Sequence, residues 1–132
     1  MGSDVHSGSC LCGAVRYRVA GALDPVVVCH CTMCRRQTGH VLASTNVALA
    51  DCVIEGEDGV RWYRSSDIAE RGFCGACGSV LFWRRPGSDR IAIAMGSFDL
   101  PTGAVIGEHI YVAAKGDYYA IDDGAPQFLG ES

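Results

Sequence analysis

Short apolar segments separated by turn residues run the length of this chain, and the segments have the length and period of strands. Ala14 to Val19 alternates around Val15, Tyr17 and Val19, while Val26 to Cys29 is a β-branched run. Further strands are predicted over Val41 to Leu49, Val60 to Arg64, Ser79 to Trp83, Ile91 to Met95, Ile110 to Ala113 and Tyr118 to Ile121. No segment carries a long 3.6-residue stripe with a cap, so the one predicted helical turn is Thr32 to Thr38. Seventeen glycines punctuate the pattern, and residues 55–59 and 85–89 read as exposed turns. The expectation is a mainly β, compact domain over residues 8–128, with a flexible N-terminus at 1–7 and a tail at 129–132.

With 132 residues and 48% hydrophobic content, the chain can bury one core and not two comfortable ones. Its formal net charge is −4. That sign argues against nucleic acid, whose binders use a basic face to displace counterions from phosphates. No stretch approaches the roughly 18 apolar residues that span a bilayer, which argues against a membrane protein. The first nine residues lack the basic and apolar regions of an export signal, so a cytoplasmic, reducing location is expected.

That location changes how the eight cysteines read. Seven fall into short clusters, Cys10 with Cys12, Cys29 with Cys31 and Cys34, and Cys74 with Cys77, leaving Cys52 alone. A disulfide framework belongs to small secreted domains, and bridges within such tight loops would be strained. Thiolate zinc sites suit the spacing better, because sulfurs on one Zn²⁺ must lie within about 4 Å of each other. Pairing Cys10 and Cys12 with Cys74 and Cys77 closes one four-sulfur structural site and staples the start of the chain to its middle. Cys29, Cys31 and Cys34 then form a second, three-ligand site with one coordination position to spare, the usual catalytic pattern. Seven thiolates against two divalent ions would lower the net charge by three, to about −7.

Three runs carry a family resemblance: Gly8-x-Cys10-x-Cys12-Gly13-x-Val15-x-Tyr17, Cys29-His30-Cys31-x-x-Cys34-Arg35-x-x-x-Gly39 and Phe73-Cys74-x-x-Cys77-Gly78-x-x-Leu81. Together with His109 to Val112, Ile121 to Asp123 and Pro126 to Phe128, they resemble the glutathione-dependent formaldehyde-activating enzymes, a family that includes centromere protein V. The resemblance implies a β-sheet domain similar to the Mss4-like zinc-binding fold and the same division of cysteines between two zinc ions, the second of them labile. It also implies a carbon–sulfur lyase whose small-molecule partner is a thiol such as glutathione, added to formaldehyde.

Several residues follow from that chemistry. An incoming thiol near pKa 8.5 would be deprotonated at the open zinc, and the oxyanion formed on addition needs a proton, for which His30 and His40 are nearest in sequence. Arg35 and Arg36 are candidate anchors for the carboxylates of glutathione. The run His40-Val41-Leu42-Ala43 departs from the small and aromatic residues common in the family, and His40 is a candidate fourth ligand. Cys52 is expected as a free thiol packed beneath a sheet, His109 as a structural histidine near a sheet edge, and Asp122 to Gly124 as a turn. Two other functional classes stay open, a zinc-stabilised binding module and a thiol redox or metal-buffering protein. An enzyme should show a pocket ending at the second cluster, a binding module a flat apolar patch, and a redox protein reversible loss of zinc on mild oxidation.

Overall fold

A computed structural model describes residues 4–131. The chain is mainly β, and its described residues form ten strands: β1 (Val5–Ser9), β2 (Arg16–Ala20), β3 (Val26–Cys29), β4 (Leu42–Ala48), β5 (Cys52–Glu55), β6 (Val60–Arg64), β7 (Glu70–Cys74), β8 (Val80–Arg84), β9 (Arg90–Ala94) and β10 (Ile106–Ile110). The α-helix among the described residues, α1, spans Thr32–Thr38. Among the described residues, no helix is long and apolar enough to cross a membrane.

Two sheets divide the strands. The smaller has the order β1-β2-β5, and the larger runs β10-β3-β4-β9-β8-β7-β6. All pairings are antiparallel except β10 with β3. The core lies where the two sheets meet. Val15, Tyr17 and Val19 come from the small sheet's side, and Val47, Leu81, Phe82, Ile91 and Ile93 come from the large one. Leu81 and Ile93 are completely buried, and each such side chain contributes about 1.5–3 kcal/mol by leaving water. Tyr17 sets its ring edge-on against Phe82 and Phe98 and places its hydroxyl 2.5 Å from Ser97 Oγ. Gly8 is required beside it, since a Cβ there would strike the Tyr17 hydroxyl and the Ser97 carbonyl.

Strand alternation gives the large sheet two uses. Thr45 and Val47 of β4 and Ile91 and Ile93 of β9 turn inward and are buried. Their neighbours Ser44, Asn46 and Ala92 face the opposite side, where a pocket forms.

Some expectations need correction. Residues 5–7 of the predicted flexible N-terminus pair with residues 18–20 as the first part of β1, and Asp4 accepts from Gly21 N–H; residues 1–3 and 132 lie outside the described residues. The strand predicted at Ile110 to Ala113 ends at Ile110, because Tyr111 takes left-handed φ 55° and starts a 3₁₀ turn at Val112–Ala114. Tyr118 to Ile121 forms no strand; its two tyrosines turn their rings toward His30 and His40. Cys52 opens β5, paired with Val19, and packs against the core.

Candidate active site

Two reverse turns assemble the four-cysteine cluster. Gly13 N–H returns to the Cys10 carbonyl at φ 82°, and Gly78 N–H returns to the Cys74 carbonyl at φ 81°, a backbone region that favours glycine. Leu11 N–H donates to Ser79 Oγ across 2.9 Å and ties the turns together. The sulfurs of Cys10 and Cys12 lie 3.6 Å apart, and those of Cys12 and Cys74 lie 3.8 Å apart. Those spacings match the edge of a sulfur tetrahedron around zinc, about 3.8 Å for bonds of about 2.3 Å. Val15 N–H donates to Cys10 Sγ and Ala76 N–H to Cys74 Sγ, which suits thiolates. The Ser79 hydroxyl holds Cys77 down to about 5. Geometry and donor chemistry both fit a closed thiolate-metal centre.

The three-cysteine cluster is built by a helix start. β3 delivers Cys29, and Cys31 caps α1 in an extended conformation, its sulfur accepting from Cys34 N–H at 3.3 Å. That cap fixes the Cys31–Cys34 spacing. At the other end Gly39 closes the helix at φ 87°, and Thr38 Oγ1 donates to the Cys34 carbonyl. All three sulfurs lie within 4.8 Å of one another, so they too fit one soft metal ion. Without metal, the Cys29 and Cys34 thiols donate to Cys31 and pull it down to about 2, while Cys29 is pushed up. Arg71 of β7 is buried beside them, its Nη1 donating to Cys34 Sγ at 3.4 Å and to Gln37 Oε1 at 3.0 Å.

A pocket of about 270 Å³ ends on this cluster. Cross-strand register builds its floor: Ile110 sits opposite Cys29 and Cys29 opposite Leu42, while Asn46, Ala92, Trp83 and Arg71 line up across four strands. Met33, Ser65, Ser66, Ile68, Tyr111, Arg85 and Glu131 complete its lining. Burial and the Glu131 carboxylate raise the Tyr111 hydroxyl above its ordinary range, which keeps it protonated.

The other predicted site residues lie elsewhere. His30 projects from between Cys29 and Cys31 to the opposite face of the sheet, where its Nδ1 meets Tyr119 OH at 2.6 Å and its Nε2 meets His109 Nδ1 at 2.9 Å. Asp123, in the predicted turn, completes the chain with His109 Nε2 at 2.9 Å. Burial lowers the His30 pKa, and His109 adds to that. His40 bonds Tyr118 OH and does not join the three sulfurs, so it is not a fourth ligand in this arrangement. Neither His30 nor His40 lines the pocket at the cluster, and neither do Arg35 and Arg36. The cations that do line it, Arg71 and Arg85, are supplied by β7 and the end of β8, which no local motif signals.

The profile of the glutathione-dependent formaldehyde-activating enzymes matches residues 5–114. A Schizosaccharomyces pombe protein named as an uncharacterized lyase is 32% identical over 78 residues, covering 59% of this chain and 56% of its own. A Halomonas elongata protein named "Putative glutathione-dependent formaldehyde-activating enzyme" is 32% identical over 83 residues, covering 57% of this chain and 53% of its own. The chain thus matches about half the length of these relatives. A crystal structure of a Rhodobacter sphaeroides protein superposes with a TM-score of 0.61 at 24% identity, over 76% of this chain and 97% of that one, a likeness of fold. With the profile covering both cysteine clusters and nearly all of the described strands, the chain belongs to the glutathione-dependent formaldehyde-activating enzyme family.

Proposed function

We propose that this protein is a carbon–sulfur lyase that joins a small-molecule thiol to formaldehyde, and splits the adduct, in the pocket above Cys29, Cys31 and Cys34. The observation that carries the proposal is the concave pocket ending on a cluster with one ligand fewer than its partner. Zinc is the metal that both clusters suit, and at the three-cysteine site it would supply a positive centre that lowers the pKa of an entering thiol.

In the forward direction the thiol sulfur forms a bond to the aldehyde carbon, and the carbonyl π pair moves to oxygen. The proton lost by the thiol is matched by one gained at that oxygen, giving a hydroxymethyl thioether with nothing oxidised or reduced. The chain's own groups serve each requirement. Arg71 places a fixed positive charge beside the cluster and offsets its excess thiolate charge. Tyr111, which lines the pocket, is the group assigned to deliver the proton to the oxyanion, the role first considered for His30 and His40. Apolar walls exclude water that would compete for the aldehyde, and confinement adds the benefit of proximity.

A concave pocket at the cluster favours this over a binding module, which would dock through a flat apolar patch. The test is hemithioacetal formation from glutathione or another thiol and formaldehyde, followed against the uncatalysed rate with Cys31→Ser as control. Acceleration by the zinc-loaded protein, lost in the variant, is expected; absence of any excess rate with every thiol tried would overturn the proposal.

A further inference from the structure

We infer, building on the proposed thiol–aldehyde chemistry, that the thiol taken by this pocket is small and largely apolar and carries at most one carboxylate. A doubly carboxylated peptide such as glutathione fits the observed wall poorly. Leu42, Ile68, Trp83, Ala92 and Ile110 make most of that wall apolar. The pocket volume of about 270 Å³ falls below the roughly 300–1,000 Å³ usual for small-molecule sites.

Charge narrows the choice further. Two cations line the pocket, Arg71 and Arg85. Arg71 is 4% exposed, its Nη1 already donates to Cys34 and Gln37 beside the thiolates, and its unpartnered Nε is sealed within the fold, so it presents little to a ligand's carboxylate. Arg85 remains, half-exposed at the rim and 3.7 Å from Glu131 Oε2. One carboxylate could take Arg85 at the rim. A second would have no accessible cation, would face Glu131, and would lose its water against apolar walls, which disfavours an unpaired charge. Ser44, Asn46, Ser65 and Ser66 are neutral and serve hydroxyl or amide groups. Arg35 and Arg36 would be the natural source of a second cation, but they lie outside the pocket.

The experiment compares propanethiol, 3-mercaptopropionate and glutathione with the zinc-loaded protein. Each is read as catalysed rate above background with formaldehyde, and as a dissociation constant by calorimetry without it. The two smaller thiols are expected to exceed glutathione by about tenfold or more in both, as loss of one charged hydrogen bond implies. Arg85→Ala, a change at an exposed position, should cut the preference for 3-mercaptopropionate over propanethiol by about tenfold. Glutathione equal to or ahead of the smaller thiols would overturn the inference while leaving the thiol–aldehyde reading standing. Acceleration of no thiol would overturn that reading and the inference with it.

Discussion

Nη1 of Arg71 donates to the sulfur of Cys34 across 3.4 Å, joining the start of β7 to the first turn of α1. A guanidinium only 4% exposed needs compensating charge, and the thiolate cluster supplies it. The relationship is mutual. Three thiolates on one divalent ion carry an excess negative charge, which the arginine offsets from outside the ligand set.

Replacing this arginine should therefore loosen metal before it touches chemistry. Arg71→Met is expected to weaken zinc binding at the three-cysteine cluster by about 10–100-fold, the usual effect of losing a group that supports metal ligands. Arg71→Lys should fall between the two, since an ammonium keeps the charge but lacks the planar fork that reaches both Cys34 and Gln37. Competition with a chromogenic chelator, monitored alongside circular dichroism to confirm the fold, reads the difference.

The two cysteine clusters should differ in what they contribute to folding. Cys74 is buried in the main core and its cluster clasps the β1–β2 region to β7, so a metal there is coupled to folding of the whole domain. Cys34 sits at the sheet's other face, in a one-helix excursion. Cys74→Ser is expected to unfold the chain or remove most of its thermal stability, while Cys34→Ser loses one metal ion and melts only slightly earlier. Thermal melts with metal content measured in parallel decide it; equal collapse of both variants would contradict the division of roles.

Local chemistry explains which parts of this architecture could be read in advance. Thr32–Thr38 and Val26–Cys29 emerge where predicted because their signals are short-range: a cysteine cap and a closing Gly39 for the helix, and a β-branched run for the strand. β7 escapes notice because Glu70-Arg71-Gly72 looks like a turn; only the remote cluster and a Glu70–Arg84 ion pair of 2.7 Å make its polar residues acceptable in a central strand. Tyr118 and Tyr119 have strand-forming side chains whose rings instead contact His30 and His40. The cysteine grouping was legible because ligand spacing is local within each cluster. The pocket was not, since its floor depends on the register of six strands, and the arginines that follow Cys34 in sequence, Arg35 and Arg36, do not line it.

The hydrogen-bonded chain Asp123–His109–His30–Tyr119, with its two histidines buried, should hold the Cys29–Cys31 segment in place from behind. His109 is 5% exposed and bonds both Asp123 and His30, so His109→Leu leaves the buried His30 and the partly exposed Asp123 each without a partner. The expected loss is about 1–3 kcal/mol of stability. Asp123→Asn, with a partly exposed amide in place of the carboxylate, should cost less. Urea denaturation of both variants with zinc present provides the comparison, and equal losses would show that the His109–His30 contact adds nothing beyond the contact with Asp123.

Cys52 offers a pH-dependent readout that is separate from both metal clusters. Burial against the core, with Glu57 adding to it, raises its thiol to about 11. The folded state thus holds the proton more tightly than the unfolded chain, where the ordinary value is about 8.5. Its contribution to stability is complete below that value and declines as pH rises toward 11, because the unfolded chain ionises first. Alkylation follows the thiolate, so with zinc protecting the clustered sulfurs the reaction at Cys52 should be slow at pH 8 and rise about tenfold per pH unit up to pH 10. Mass spectrometry of iodoacetamide-treated, zinc-loaded protein checks this, with Cys52→Ala as the blank. A rate that levels off near pH 9 would show that the thiol is not buried as the structure places it.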